Sequence, residues 1–247
     1  MKKRAFIFYG GWDGHEPDLV SARFKKMLEQ EGLVVIREDR LDRLADVEFL
    51  KTVDLIIPCW TQAHLDDRLC FAVSEAIESG VGIAGCHGGM CDAFRNSVEW
   101  QFITGSQWVA HAGPKWAHHI SHGDRENLEY VKNTYPESLI GQTHTSKFEV
   151  NFKKSSSSLI IQGLDDFSAE TEQYYLHVDP SVDVLASTLI QTKGPHSENG
   201  IIEMPVVYTK RWGKGRVFYN SMGHVDKIFE IPQVAEVTRR GFLWAAR

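Results

Sequence analysis

This 247-residue sequence has no long apolar run, few cysteines and no excess of positive charge. No apolar run approaches the roughly 20 residues that a membrane-spanning helix requires. Acidic residues outnumber basic ones by 33 to 27, which gives a formal net charge of -6. A protein that binds nucleic acid through its phosphates concentrates basic residues on one face. We therefore expect neither a membrane nor a nucleic acid as the main partner.

Cysteine is scarce and shows no CxxC spacing. The four cysteines are Cys59, Cys70, Cys86 and Cys91. The first apolar run, in MKKRAFIFYGG, is about five residues long, which is shorter than the apolar core of a secretion signal. We therefore expect a cytoplasmic protein with free thiols. A homodimer is the expected oligomeric state, because two-fold symmetric dimers are the commonest soluble assemblies.

Strand and helix patterns alternate along the first 86 residues. Short apolar runs predict buried strands at residues 5–11, 33–38, 54–60 and 81–86. Between them, apolar residues at helical spacing predict one helix that begins near Pro17 and another that ends at Gly80. This alternation predicts an α/β fold with a parallel sheet covered on both faces.

The rest of the chain is less regular. Residues 95–158 are rich in tryptophan and histidine without clean periodicity, which predicts an elaborated loop region over one end of the sheet. Residues 172–178 and 182–188 predict further strands, and residues 205–223 predict a β-hairpin that turns near Gly213. A closing helix is expected from Pro232. Because no repeat or linker interrupts the pattern, we expect residues 1–247 to form a single domain.

The stretch GIAGCHGGMC (82–91) has the pattern of a strand that turns tightly into a helix. In open α/β sheets, ligands bind where such turns leave the carboxyl ends of strands. Small residues two positions before and after a turn residue allow a sharp turn, and two residues meet this condition. Glycines stand at these positions around His87, whereas an alanine and a glycine stand there around Cys86. The less crowded pair of glycines favours His87 at the tip of the turn. Cys86 would be an acyl-transfer nucleophile, and His87 a general base, proton shuttle or metal ligand. A purely structural role for His87 as a helix cap is the remaining alternative.

Four segments, GWDGHEP (11–17), GCHGG (85–89), TEQYY (171–175) and WGKGRVFYNSMGH (212–224), together span nearly the whole chain. In this order they resemble the ThuA-like family, named for trehalose utilisation and related to class I glutamine amidotransferases. The resemblance implies a flavodoxin-like three-layer α/β/α sandwich with a mainly parallel central sheet. It implies carbohydrate metabolism, with action on oxidised keto-sugars or glycosides. The His-Pro-Ile stretch that family members often carry is replaced here by SSSSLI (155–160).

Histidine and glutamate side chains supply the candidate catalytic groups, His87, Glu172 and His224. The resemblance places His87 where amidotransferases have cysteine, and His224 near the place of their triad histidine. Glu172 is a carboxylate within an aromatic, strand-like run, where it can serve as a buried base. Strand alternation places Tyr174 on the same face as Glu172, and His177 on the opposite face unless a bulge intervenes.

The expected substrate contacts are aromatic rings that stack on a sugar and histidines that line the pocket. His15 is expected beside the turn at residue 87, because the first and fourth predicted strands are commonly neighbours in such sheets. The full set of predicted substrate-binding residues is Trp12, His15, Trp108, His111, Tyr174 and His177.

A metal site is a further candidate in the histidine-rich stretch HAGPKWAHHISH. His118 and His122 would share one face of a helix at i, i+4, as in zinc-binding pairs. The sequence contains no HExxH motif, and no cysteine lies nearby. The cofactor content therefore stays open, with a divalent metal among the alternatives.

The leading functional hypothesis is an enzyme of carbohydrate utilisation whose partner is a small sugar. Glu172 or His87 would act as base and His224 as acid beside a keto or hydroxyl group. One alternative is a thiol amidotransferase or peptidase that uses Cys86. The other is a sugar-binding protein without catalysis, since binding pockets and active sites share aromatic and histidine content.

Overall fold

The structure, a computed structural model, describes residues 2–112, 145–190 and 199–247. The strands in these ranges are β1 (Arg4–Gly11), β2 (Val34–Glu38), β3 (Leu55–Thr61), β4 (Gly82–Cys86), β5 (Ser106–His111), β6 (Thr145–Phe152), β7 (Phe167–Glu172), β8 (Tyr174–Val178), β9 (Asp183–Ile190), β10 (Ile202–Trp212) and β11 (Gly215–Asn220). The helices are α1 (Pro17–Gln30), α2 (Val47–Lys51), α3 (Asp67–Glu78), α4 (His87–Cys91), α5 (Val98–Thr104) and α6 (Pro232–Ala245).

The parallel half of the main sheet contains the strands predicted from the first 86 residues. Its order is β2-β1-β3-β4-β11, and every neighbouring pair is parallel. β3 and β4 are buried along nearly their whole length, which explains why their sequences are continuously apolar. One expectation is wrong. β3 lies between β1 and β4, so the first and fourth strands are not neighbours.

The other half of the sheet is antiparallel. Beyond β11 the order continues as β10-β9-β6-β7, and each strand is antiparallel to its neighbour. The predicted hairpin is formed by β10 and β11. It turns at Gly213, which has a φ of 55°, a left-handed conformation that glycine adopts without a steric penalty.

Residues 95–158 contain more regular structure than the sequence predicts. α5, β5 and β6 all lie within this range, so the expected loop region is wrong for its described part. β6 alternates, with Phe148, Val150 and Phe152 buried and the residues between them exposed or partly exposed. Short elements of this kind offer few periods, and the surrounding histidines and tryptophans obscure them.

The single strand expected at residues 172–178 is two strands in two different sheets. β7 ends at Glu172 and pairs with β6 in the main sheet, whereas β8 begins at Tyr174 and pairs with β5 in a separate two-stranded sheet. Gln173 lies between them, and its Nε2 donates a hydrogen bond to Thr188 Oγ1 at 2.9 Å. Glu172 therefore lies at the junction of the two sheets.

Apolar side chains pack against both faces of the main sheet. On one face, α1 and α6 contribute Phe24 and Phe242; on the other, α3 and α5 contribute Val73 and Trp100. These layers confirm the expected α/β class and the three-layer sandwich. Among the described helices, none has the length and apolar character needed to cross a membrane.

Candidate functional site

His87 occupies the tip of the turn between β4 and α4. Its φ is 49°, a left-handed conformation that is uncommon outside glycine, whereas Cys86 is extended with a φ of -138°. A Cβ atom at Gly88 would lie 2.5 Å from His15 Cε1. The turn therefore needs glycine next to His87, since a larger residue would displace the neighbouring imidazole.

Strained backbone is concentrated on this side of the sheet. Among the described residues, the non-glycine residues with positive φ are Glu16, Gln62 and His87. They follow β1, β3 and β4 respectively, so all of them lie where the chain leaves the carboxyl ends of parallel strands. Such conformations cost free energy and are commonest at functional sites.

Cys86 is the last residue of β4, and its side chain is buried beneath the turn. The residue is 3% exposed, and a Cβ atom at Gly223 would lie 2.7 Å from Cys86 Sγ. Burial raises the pKa of the Cys86 thiol well above its usual range, and the nearby Cys59 raises it further. A nucleophilic cysteine needs the opposite, an accessible thiol with a lowered pKa.

The Cys86 thiol is therefore expected to resist alkylation in the folded protein. With its pKa raised above the ordinary value of 9.0, the thiol stays protonated between pH 7 and 9, so iodoacetamide labelling should not rise across that range. Mass spectrometry after labelling tests this, and denatured protein is the control, because its thiol regains an ordinary pKa. Stoichiometric labelling of the folded protein at Cys86 with loss of activity would instead favour thiol chemistry.

The centre of the site is the carboxylate of Glu172, which four imidazoles surround. Glu172 Oε2 lies 2.9 Å from His87 Nε2, 3.2 Å from His111 Nε2, 3.2 Å from His224 Nδ1 and 3.8 Å from His15 Nε2. Glu172 is 2% exposed. A carboxylate is rarely buried without partners, because removing its charge from water is costly. In this site, the histidines supply those partners.

Each imidazole reaches Glu172 from a different element. His15 follows β1, His87 follows β4, His224 follows β11, and His111 ends β5. The rings of His15 and His87 are 4.8 Å apart between centroids. His15 therefore lies beside the turn, as predicted, although β3 separates the two strands.

The rings of His87 and His15 are held by hydrogen bonds on the side away from Glu172. His87 Nδ1 donates to the carbonyl of Ser221 at 2.8 Å, and His15 Nδ1 lies 2.8 Å from Thr61 Oγ1. His224 Nδ1 differs: it lies 3.2 Å from Glu172 Oε2, yet it is buried and has no aligned hydrogen-bond partner within the described part of the chain.

The charge states of the site follow from burial and contact. Burial lowers the pKa of His87 to about 3, although its hydrogen bond with Glu172 opposes the shift. Burial also lowers the pKa of His15. For Glu172, burial works to raise the pKa, but the surrounding histidines outweigh it and the net pKa is lowered. The site therefore combines an ionised Glu172 carboxylate with neutral imidazoles at His15 and His87.

Four of these side chains have the composition and spacing of a metal-binding group. The ligand atoms of His15, His87, Glu172 and His224 all lie within 4.8 Å of one another. Three are imidazole nitrogens and one is a carboxylate oxygen, which are common ligands of first-row transition metals.

Aromatic rings and one ion pair form the wall of the site. Tyr174 stacks on His87 with ring centroids 3.9 Å apart. Arg95 lies over the Trp108 ring at 4.6 Å from its centroid, and its Nη2 donates to Asp92 Oδ2 at 2.8 Å. The cavity between these residues has a volume of about 10 Å³, which is about the space of one water molecule.

The structure brings together most of the predicted site residues. The cavity is lined by Trp12, His15, Gln62, Asp92, Arg95, Trp108, His111, Glu172 and Tyr174. His177 does not belong to it: this residue is exposed on β8 and lines a separate groove with Val98 and Phe102. His177, a predicted substrate contact, therefore lies outside this cavity, because alternation within β8 places its side chain on the opposite face from Tyr174. His118 and His122 lie outside the described residues.

Several residues of the site carry no sequence signal strong enough to find them. Asp92 and Arg95 follow the turn at intervals of five and eight residues from His87, which in sequence is indistinguishable from an ordinary helix surface. Thr61 and Ser221 act through a hydroxyl and a backbone carbonyl. The available signal is their position, since Thr61 follows a predicted strand and Ser221 lies near the end of the predicted hairpin, where ligands of such sheets bind.

Comparisons with known proteins agree with this fold. Among solved structures, the chain is similar to ThuA-like proteins from Bacteroides uniformis ATCC 8492 (16% identity, TM-score 0.67, covering 98% of this chain and 91% of that chain) and Parabacteroides merdae ATCC 43184 (17%, 0.67, 99% and 90%). It is also similar to a cytoplasmic protein from Salmonella typhimurium LT2 (12%, 0.58, 99% and 100%). These identities support a shared fold and no more. No curated protein matches the chain.

The family assignment comes from the sequence as a whole. The family model for ThuA, described as trehalose utilisation, matches residues 4–245. This range includes each of the four segments that resemble the family, and the histidine at the tip of the β4 turn. The chain therefore belongs to the ThuA family of trehalose utilisation.

Proposed function

We propose that this protein is an enzyme of carbohydrate utilisation that acts on an oxidised keto-sugar or glycoside, with trehalose or a related disaccharide as the parent sugar. The observation that supports this most is one buried carboxylate shared by four imidazoles. Groups of this kind orient, polarise and move protons beside a carbonyl or hydroxyl group. A site built only for structure does not need so many titratable groups around one oxygen atom.

The location of the site supports a ligand. Thr61, Cys86 and Asn220 end the parallel strands β3, β4 and β11, and the cluster lies directly beyond them. Ligands of open α/β sheets bind outside the carboxyl ends of the strands. The cluster is thus in the place where this class of fold holds its substrates.

Unpartnered polar atoms and aromatic rings favour a sugar. Trp108 Nε1 is buried without a hydrogen-bond partner among the described residues, and an unsatisfied buried donor is uncommon in folded proteins. Trp12 and Trp108 both border the cavity, and aromatic rings pack well on the apolar faces of sugars. Because the cavity is small, the proposed substrate rests on this rim and presents only its reacting group to the cluster.

The histidines differ in how freely they can meet a substrate. Both ring nitrogens of His87 are engaged, one by the Ser221 carbonyl and one by Glu172, so His87 is assigned a positioning role. The His224 side chain is 18% exposed, the most open of the four imidazoles. His224 is therefore one proposed group on the substrate side, and His111, which lines the cavity, is the other, with Glu172 orienting them.

A screen of oxidised disaccharides and glycosides, including oxidised trehalose, tests the proposal. We expect product from at least one of them, and a fall of at least about 100-fold in turnover for His224→Ala, which is within the usual contribution of a positioned proton-transfer group. His64→Ala is the matched control, because His64 is exposed and outside the cavity.

Two results would contradict the proposal. Turnover that is unchanged in both His111→Ala and His224→Ala would remove the assigned groups. Tight sugar binding by calorimetry without product over hours would favour a sugar-binding protein in place of an enzyme.

A further inference from the structure

The contact between His87 Nε2 and Glu172 Oε2 needs a proton or a metal ion between its two atoms. A carbonyl oxygen only accepts hydrogen bonds, so His87 Nδ1 must carry the proton that it donates to Ser221. In the neutral ring, Nε2 then presents a lone pair. That lone pair lies 2.9 Å from Glu172 Oε2, which is also an acceptor when the carboxylate is ionised. Two acceptors at this distance repel unless a proton or a metal ion lies between them, and a metal ion would also engage the other donors around Glu172.

The other donors converge on the same point. His15 Nε2 and His224 Nδ1 lie 3.8 Å and 3.2 Å from Glu172 Oε2, and the four ligand atoms lie within 4.8 Å of one another. Ligands about 2.1 Å from an ion are about 3.0 to 4.2 Å apart at angles between 90° and 180°. The longest separation exceeds this range by about half an ångström, which small side-chain rotations can close.

The far sides of the rings have the partners that metal-binding histidines use. A ligating imidazole almost always has its other nitrogen hydrogen-bonded, which selects the tautomer and the ring orientation. Here His87 Nδ1 is held by the Ser221 carbonyl and His15 Nδ1 by Thr61 Oγ1.

We propose that His15, His87 and His224, through ring nitrogens, and Glu172, through Oε2, bind one divalent first-row transition metal ion such as Zn²⁺. Three imidazoles and one carboxylate suit this class, whereas Mg²⁺ and Ca²⁺ require mainly oxygen ligands. His111 is the fourth imidazole beside Glu172, and it stays outside the ligand set.

The inference deepens the proposed function. An ion at this position would polarise a carbonyl or hydroxyl oxygen of the substrate, and its catalytic role rests on that proposed function. The binding of the ion does not rest on it. With three imidazoles engaged as ligands, His111 becomes the histidine left for proton transfer.

Metal titration of the full-length chain tests the site directly. After removal of metals by a chelator, the protein is expected to bind one equivalent of Zn²⁺ by calorimetry, and to give visible absorption bands when Co²⁺ replaces it. His15→Ala and His224→Ala should lose at least about 100-fold in Zn²⁺ affinity, and Thr61→Val about 10- to 100-fold, since it removes only the partner of a ligand. His64→Ala is expected to bind as the unchanged chain does, because His64 is exposed away from the cluster.

These measurements test metal binding separately from catalysis. The metal site would be overturned if the native chain bound Zn²⁺ or Co²⁺ no more strongly than His224→Ala does. It would also be overturned if the two single variants Thr61→Val and His15→Ala both kept the native affinity for Zn²⁺. If a ligand variant does not fold, Thr61→Val still provides the comparison, because it leaves every ligand in place. One bound ion without turnover of any oxidised sugar would support the site and reject the proposed function. Turnover that survives complete chelation would support the proposed function and reject a catalytic ion.

Discussion

Replacing Glu172 with glutamine is expected to lower turnover of the oxidised sugar by at least about 100-fold. Glutamine keeps the size of the side chain but removes the charge that the four imidazoles surround. Its amide is neutral and offers a single acceptor oxygen, so it holds the surrounding imidazoles and the proposed ion less strongly than the carboxylate does. Initial rates with saturating substrate measure the effect, and circular dichroism checks that the fold is retained.

Glu170→Gln is the matched control for this substitution. Glu170 lies two residues earlier on the same strand, β7, and is exposed. The same loss of one negative charge at that position should leave turnover unchanged, because no histidine of the cluster depends on it. Equal rates in Glu172→Gln and Glu170→Gln would show that the buried carboxylate has no part in the reaction.

Replacing Gly88 with alanine is expected to reduce turnover by about 100-fold, which is the usual effect of a displacement near 1 Å at a catalytic group. The added methyl group would lie 2.5 Å from His15 Cε1 and 3.1 Å from Tyr174 Oη. Neither ring can stay in place, so both His15 and the wall of the cavity shift. The effect should appear in the rate and in Zn²⁺ affinity, both measured on protein that remains folded.

The neighbouring glycine provides the control for the turn itself. A methyl group at Gly89 would meet the backbone of Cys59, at 3.2 Å from Cα, and none of the three nearest atoms belongs to a histidine. Gly89→Ala should therefore cost some stability in thermal unfolding but less activity per folded molecule than Gly88→Ala. The same loss of specific activity in both variants would mean that the turn, and not the displaced imidazole, explains the result.

The parallel half of the sheet could be predicted from the sequence because its signals are local. A buried strand such as β3 is continuously apolar, and a surface helix such as α1 shows its apolar stripe within a few turns. The hairpin of β10 and β11 carries its own turn residue, Gly213. These patterns do not depend on distant parts of the chain, so they can be recognised in the sequence alone.

The antiparallel half of the sheet, and the division into β7 and β8 at Gln173, could not be predicted from local sequence patterns. EQYYLHV is uniformly strand-like, and only pairing with two different partners divides it into β7 and β8. Pairing is a property of distant segments, since β5 and β8 are separated by many residues along the chain. The same split places Glu172 at the end of β7, where it can meet the loops that follow β1, β4 and β11.

By itself, the sequence determined the α/β class, the family and the identity of the turn residue candidates, because short-range apolar patterns and glycine spacing encode these features. Tertiary structure alone decided that His15, His111 and His224 share one oxygen of Glu172. It also decided that the Cys86 thiol is buried beneath the turn. The physical reason is that a buried charge gains its partners from whichever elements the sheet order brings together, and that order depends on packing across the whole chain.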